Sequence, residues 1–220
     1  MLTPRKRITK KQLKEDKFIT YSVQARDWIE ENSRIVFGGI VVLVVILAAV
    51  FIINNMRVKA EMTASAELAN AMRVFESRDY GNSVALFTGI VNSAGSTKSG
   101  RTARFFLAQS LYNTDEYAAA QEHFRKFASS CKEDDYLRAA ALAGEAGCLE
   151  QQNQFSQAAE KYKNIAKKFS PLAARYLLRA ARCYAQAGND EQAKTIYQQI
   201  IDDYPNSQEK SDALLYSSMN

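Results

Sequence analysis

Three arginines form the most suggestive chemical group in this sequence. Arg175, Arg179 and Arg182 recur at spacings of four and three, which places them on one face of a helix. Guanidinium forks arranged in this way can hold a carboxylate or an acidic peptide segment through paired, charge-assisted hydrogen bonds. Phe105, Gln109 and Tyr112 offer an apolar and amide-bearing surface on an earlier helix, suited to the rest of a bound segment. These six residues are the candidate peptide groove; the plainer alternative for the arginines is a solvated basic face. Catalysis has less to draw on. His123 is the sole histidine and falls beside Phe124, on the expected solvent side of a helix. An acid–base pair or a metal site would need convergent partners. The sequence has no phosphate-cradling glycine loop, nucleophile elbow or metal-ligand spacing. The expectation is therefore no catalytic, cofactor-binding or metal-binding residue, no cofactor and no enzymatic activity.

Composition indicates the elements that must carry these residues. Only three prolines and nine glycines interrupt 220 residues, and the abundant Ala, Gln, Glu, Lys and Arg cost little in a helix. The net charge of +5 suggests nucleic acid until it is located. Residues 1–34 hold nine Lys/Arg (Arg5, Lys6, Arg7, Lys10, Lys11, Lys14, Lys17, Arg26, Arg34) against five acids, or +4. The remainder carries 20 against 19, or +1, which leaves no electrostatic footprint for nucleic acid.

Between the two lies Ile35–Ile53, with no polar side chain. As a helix it would span roughly 28 Å, close to the hydrocarbon core of a bilayer. A signal peptide would have a shorter apolar region behind a shorter basic stretch, with a small-residue cleavage site directly after it. Here the triplet Ala64-Ser65-Ala66 lies well beyond the run, so an uncleaved single-pass anchor is expected. The basic residues before the run outnumber Arg57 and Lys59 after it, which predicts a cytoplasmic N-terminus and an exported remainder. In a bacterium that compartment is the periplasm, and the membrane is the inner one. Phe18, Tyr21, Ala25 and Trp28 share helical spacing, consistent with a short amphipathic helix on the membrane; a disordered basic tail is the other reading. The expected organisation is a tail at 1–34, a transmembrane helix at 35–53 and a repeat domain at 54–220.

The repeat shows when segments starting at Tyr80, Tyr117, Phe155 and Asp190 are aligned, at spacings of 37, 38 and 35 residues. Three places on stand Ser83, Ala120, Ala158 and Ala193; seven on stand Phe87, Phe124, Tyr162 and Tyr197; ten on stand Ile90, Phe127, Ile165 and Ile200. Nine places before the start stand Ala71, Ala108, Ala146 and Ala181, and six before stand Val74, Leu111, Leu149 and Tyr184. Offsets of three, seven and ten form one stripe of a helix. The small residue lets two helices approach closely, and the aromatic fills the gap to the next pair. Turn residues separate the helices at Asn113-Thr114-Asp115, Asn153 and Gly188-Asn189, and residues 207–218 read as a closing helix. The fold class is all-α: one transmembrane helix, then an α-solenoid of about four helix pairs with a C-terminal capping helix. Cys148 and Cys183 hold equivalent places in successive repeats, where buried packing is expected in preference to a disulfide.

Over about residues 64–207 this pattern resembles the tetratricopeptide repeat family. That resemblance implies an interaction module whose first helices line a concave groove. The family's clamp for C-terminal carboxylates needs Lys and Asn on earlier repeats; Phe105 and Gln109 stand at comparable places, so that clamp is not expected. The basic tail, Trp28, the single apolar span and Lys59-Ala60-Glu61-Met62-Thr63-Ala64-Ser65-Ala66 running on into the repeats look like the bacterial YfgM-like family. The layout thereby implies an ancillary subunit of the Sec translocon with a chaperone-like periplasmic role, and as partners the translocon and exported clients. Tyr204-Pro205-Asn206-Ser207 with Asp212-Ala213-Leu214 also resembles envelope repeat proteins of cell division or outer-membrane assembly, which implies a scaffold subunit instead. A reporter that works only outside the cytoplasm, fused after Asn220, is expected to be active. Activity of a cytoplasm-only reporter at the same place would overturn the exported topology.

Overall fold

The computed structural model describes residues 10–219, with side chains from 20 to 218. Arg5, Lys6 and Arg7 of the expected tail lie outside the described residues, as do the side chains of Lys10, Lys11, Lys14, Lys17 and Phe18. Among the described residues every regular element is helical. The chain divides into two compact units, one ending at Met56 and one running from Arg57.

The first unit contains α1 (Lys10–Glu31) and the opening part of α2 (Ser33–Glu76). Tyr21 and Trp28 on α1 are exposed, and no side chain from Ile35 to Ile53 is buried. Apolar residues on every face, with none of them buried among the described residues, distinguish this stretch from a core helix. The helix is long and apolar enough to cross a membrane.

The second unit is the array. The rest of α2 and α3 (Tyr80–Ala94) form the first pair; α4 (Lys98–Asn113) and α5 (Tyr117–Ser130) form the second. The third is α6 (Asp135–Gln151) and α7 (Phe155–Lys168), and the fourth is α8 (Ala173–Gln186) and α9 (Asp190–Asp203), with α10 (Glu209–Met219) as the cap. This is the expected order of four pairs and a closing helix. Polar side chains set several helix starts by accepting otherwise unpaired N–H groups. Asp79 accepts from Asn82 N, Thr97 from Gly100 N and Asp134 from Leu137 N, at 3.2, 3.1 and 2.9 Å.

The repeated positions build the core. Ala71, Ala108, Ala146 and Ala181 on the first helices are 0% exposed, and so are Ser83, Ala120, Ala158 and Ala193 on the second helices. Removing side chains beyond Cβ at the crossing brings each pair of helices together. Ser83 conforms because its hydroxyl donates to the Asp79 carbonyl at 2.7 Å. Phe87, Phe124, Tyr162 and Tyr197 are buried between pairs. Arg175, Arg179 and Arg182 do lie together on α8, whose buried face carries Leu177, Leu178, Ala181 and Tyr184.

The four turns within pairs share a feature that composition only partly signals. Each has one residue in the left-handed region: Arg78 (φ 63°), Asp115 (61°), Asn153 (57°) and Gly188 (73°). The following N–H reaches back five residues, to the carbonyls of Val74, Leu111, Leu149 and Tyr184. Each first helix thus closes in a Schellman-type cap. Gly and Asn adopt this conformation readily, whereas a Cβ and long side chain make it costly for arginine. Arg78→Gly should therefore stabilise the array by about 0.5–1 kcal/mol, and Gly188→Ala should destabilise it by about 1 kcal/mol. Thermal unfolding of the full chain in detergent measures both; equal midpoints for Arg78→Gly and the parent would show that the turn is not strained.

Candidate functional site

Helices α4, α6 and α8 are the first helices of successive repeats, and together they line a groove of about 600 Å³. Its shape follows from which residue each repeat places at equivalent positions. On α8 these are Arg175, Arg179 and Arg182; the repeat spacing makes the α6 counterparts Ala140, Gly144 and Gly147. The middle helix therefore has almost no side chain where the next has three long ones. Ala140, Gly144 and Gly147 form the floor, Gln109 and Tyr112 one wall, and Arg175 and Arg179 the other.

Gly144 has a packing reason. A Cβ there would come within 2.6 Å of the buried Phe124 ring. Gly147 has none, since its Cβ would meet Tyr112 at an ordinary 3.7 Å. Glycine inside a helix costs about 1 kcal/mol relative to alanine, so Gly147 keeps the floor open at a cost to stability.

The six sequence-predicted residues separate into two sets. Gln109, Tyr112, Arg175 and Arg179 line the groove. Phe105 and Arg182 do not. Phe105 is buried, with its ring centroid 5.0 Å from Phe127 and 6.0 Å from Phe124. Its counterparts in the third and fourth repeats, Ala143 and Leu178, are buried as well, although the small Ala143 also borders the groove. Arg182 donates to Asp212 Oδ2 at 2.9 Å and lies 4.7 Å over the Tyr216 ring. Both partners belong to the cap helix α10.

Arg179 is held from below. Its Nη1 donates to the Tyr162 hydroxyl at 3.0 Å, its guanidinium lies 5.4 Å over that ring, and Tyr162 in turn donates to Glu150. Burial opposes the Arg179 charge, but Tyr162 and Glu150 outweigh it and raise its pKa. Burial, followed by the bond to Glu150, pushes the Tyr162 hydroxyl well above its ordinary value. The arginine is thereby fixed in place, with donors remaining beyond the one used. Tyr176 stacks on Tyr162 at 6.2 Å and backs the same wall. Across the groove, Tyr112 accepts from Gln151 Nε2 at 3.1 Å. Sequence reasoning missed Tyr176, Asn113 and the α6 floor; the glycines within a helical run were the available signal.

Other reactive groups are occupied by packing. Cys148 and Cys183 are free and buried, and burial pushes both thiols up to about 12. His123 is half-buried and not on the open solvent side, with Nδ1 buried and unpartnered. Burial first, then Arg104 and Lys126, lower its pKa. Among the described residues no group of three His, Cys, Asp or Glu side chains could hold a metal.

A stack of antiparallel helix pairs with its first helices lining a groove defines a helical-repeat interaction scaffold. The family model for the tetratricopeptide repeat-like domain matches residues 26–216, and the chain belongs to that family. No curated protein matches the sequence. Similar solved structures include a Podosopora anserina protein assigned as a kinesin light chain with nearly identical TPR-like repeats. It is 16% identical with a TM-score of 0.52, covering 62% of this chain and 72% of that one. A point variant of that same protein is 15% identical with a TM-score of 0.54, covering 66% and 76%. At these identities the likeness shows the fold.

The floor can be tested directly. Gly144→Ala should cost about 1–3 kcal/mol because the Phe124 ring must shift, and Phe124→Leu in that background should recover part of the loss. Gly147→Ala should be neutral or stabilising by up to about 1 kcal/mol. Thermal unfolding checks all three, and an equal loss at both glycines would contradict the packing described.

Proposed function

We propose that this chain is a membrane-anchored protein-binding module that holds segments of other proteins in the groove of α4, α6 and α8. Residues 35–53 cross the bilayer once, residues 1–34 stay on the cytoplasmic side, and residues 54–220 form the exported repeat domain. The observation that carries the binding reading is the groove itself: an emptied middle helix between an amide and phenol wall and an arginine wall. The exposed apolar surface of Ile35–Ile53 and the basic residues before it support the anchor and its orientation. With the layout it shares with YfgM-like proteins, this favours work beside the Sec translocon of a bacterial inner membrane. There the domain handles exported clients on the periplasmic side in a chaperone-like role.

A photo-crosslinking residue at Gln109, in the groove, separates this from other roles when compared with one at Glu122 on the exposed face of α5. In cells, Gln109 should crosslink translocon subunits and many exported proteins, and Glu122 few. One stoichiometric partner in place of many would instead make the chain a scaffold subunit of an envelope complex. Equal crosslinking from both positions would remove the groove reading.

A further inference from the structure

The arginine face of α8 already holds a helix. Glu209 and Asp212 stand three apart on α10, hence on one face of it. Glu209 meets Arg175 at 3.8 Å and Asp212 meets Arg182 at 2.9 Å. Acidic side chains one turn apart on one helix thus face arginines on another, within this same chain. The two pairs are unequal. Arg182 to Asp212 is a hydrogen bond, whereas 3.8 Å is too long for one, and the Arg175 side chain stays 65% exposed. Arg179, between them, pairs directly with no carboxylate among the described residues; its contact is the Tyr162 hydroxyl.

Arg175 and Arg179 also line the groove, and among the described residues no acidic one lines it with them. We propose that the groove takes an acidic amphipathic helix of a partner protein, with two carboxylates one turn apart that meet Arg175 and Arg179. The inference rests on the protein-binding reading above. Size favours a helix. The two walls stand on α4 and α8, two helix spacings apart, or about 16–20 Å. A helix with its side chains is about 10–12 Å across and fills the space over an Ala/Gly floor. A single extended strand would be about 10 Å across its side chains, but its backbone N–H and C=O groups would find no ladder partner on helical walls, whereas a helix pairs its own. The apolar stripe of such a helix would rest on Ala140, Gly144 and Gly147, with its acidic side toward α8. Glu209 then acts as an internal competitor, since an incoming carboxylate must share or displace it at Arg175.

The test uses the full chain in detergent micelles and a fluorescent alanine-rich peptide of about 16 residues, long enough to form helix. The peptide carries a leucine stripe and two glutamates spaced by four. Comparison peptides replace the glutamates by glutamines, or place a proline at the centre. Fluorescence polarisation should give about tenfold weaker binding for both comparison peptides, and a similar loss for Arg179→Gln and for Arg175→Gln. Arg175 is exposed, so its variant reports binding without disturbing the core. Glu209→Gln should tighten binding by about two- to fivefold as the competitor is removed. Equal affinity for the proline peptide would overturn the helical occupant, and equal affinity for the glutamine peptide would overturn carboxylate recognition. If the glutamate peptide fails to bind while crosslinks from Gln109 persist, this inference falls and the groove reading stands. Loss of both removes the groove reading as well.

Discussion

A single helix pair of this array has no interior of its own, and everything else in the domain answers to that constraint. The apolar stripe of each pair is too wide to close on one partner, so it is buried only when the next pair stacks on it. Stacking in turn requires the helices to approach closely, which the chain secures with alanine or serine at eight crossing positions, none with measurable exposure. A larger side chain at any of them would push apart two helices and two neighbouring interfaces at once. The aromatics at Phe87, Phe124, Tyr162 and Tyr197 fill the volume between pairs that this spacing leaves. Two core clusters result, one centred on the first two repeats and one on the last two. They meet along α6, where Ala141 and Cys148 belong to the first and Ala143 and Leu149 to the second.

The ends of such a stack are where the constraint fails, because an end has no further pair. At the C-terminal end α10 supplies the missing layer. Ala213 is buried, Tyr216 stacks on Tyr197, and Asp212 and Glu209 face the arginines of α8. The cap thus removes Arg182 from the groove and partly neutralises Arg175. At the other end Phe75 on α2 packs edge-on against Phe87 and Phe106. Glu61 accepts from Ser99 N and Oγ at 3.0 and 2.8 Å, which ties α2 to the start of α4. Those hydrogen bonds, led by the one from Ser99 N, hold the Glu61 carboxyl below its ordinary pKa.

Much of this was legible in the sequence because the core repeats with the chain. Small, aromatic and aliphatic residues at fixed offsets report positions that all face inward, and the number of pairs follows from counting them. The groove was legible only in part. Gln109, Tyr112, Arg175 and Arg179 do border one groove, because residue types at helical spacing suffice to place side chains on one face. Phe105 was misplaced because an aromatic four residues before Gln109 looks like the same face, yet its ring packs inward on Phe124 and Phe127. Arg182 was placed in the groove because its pairing with Asp212 spans thirty residues and depends on where the cap docks. Arg78 gave no turn signal, since only the backbone at that point, and not the residue type, demands a left-handed conformation.

The scaffold repeats while the chemistry on its concave face does not, and this difference is where function enters. At equivalent places in the groove the chain presents Ala140 and Gly144 on α6 but Arg175 and Arg179 on α8, and Gln109 on α4 but Gly147 on α6. Stability alone would not favour this order. Alanine would be the better helix residue at Gly147, and arginines gain little by lining an empty surface, because exposed charges contribute little to folding. The proposed acidic partner helix would fill the space above the glycines and bring carboxylates to Arg175 and Arg179. On that proposal, glycines and arginines that add little to folding are accounted for as one half of an interface.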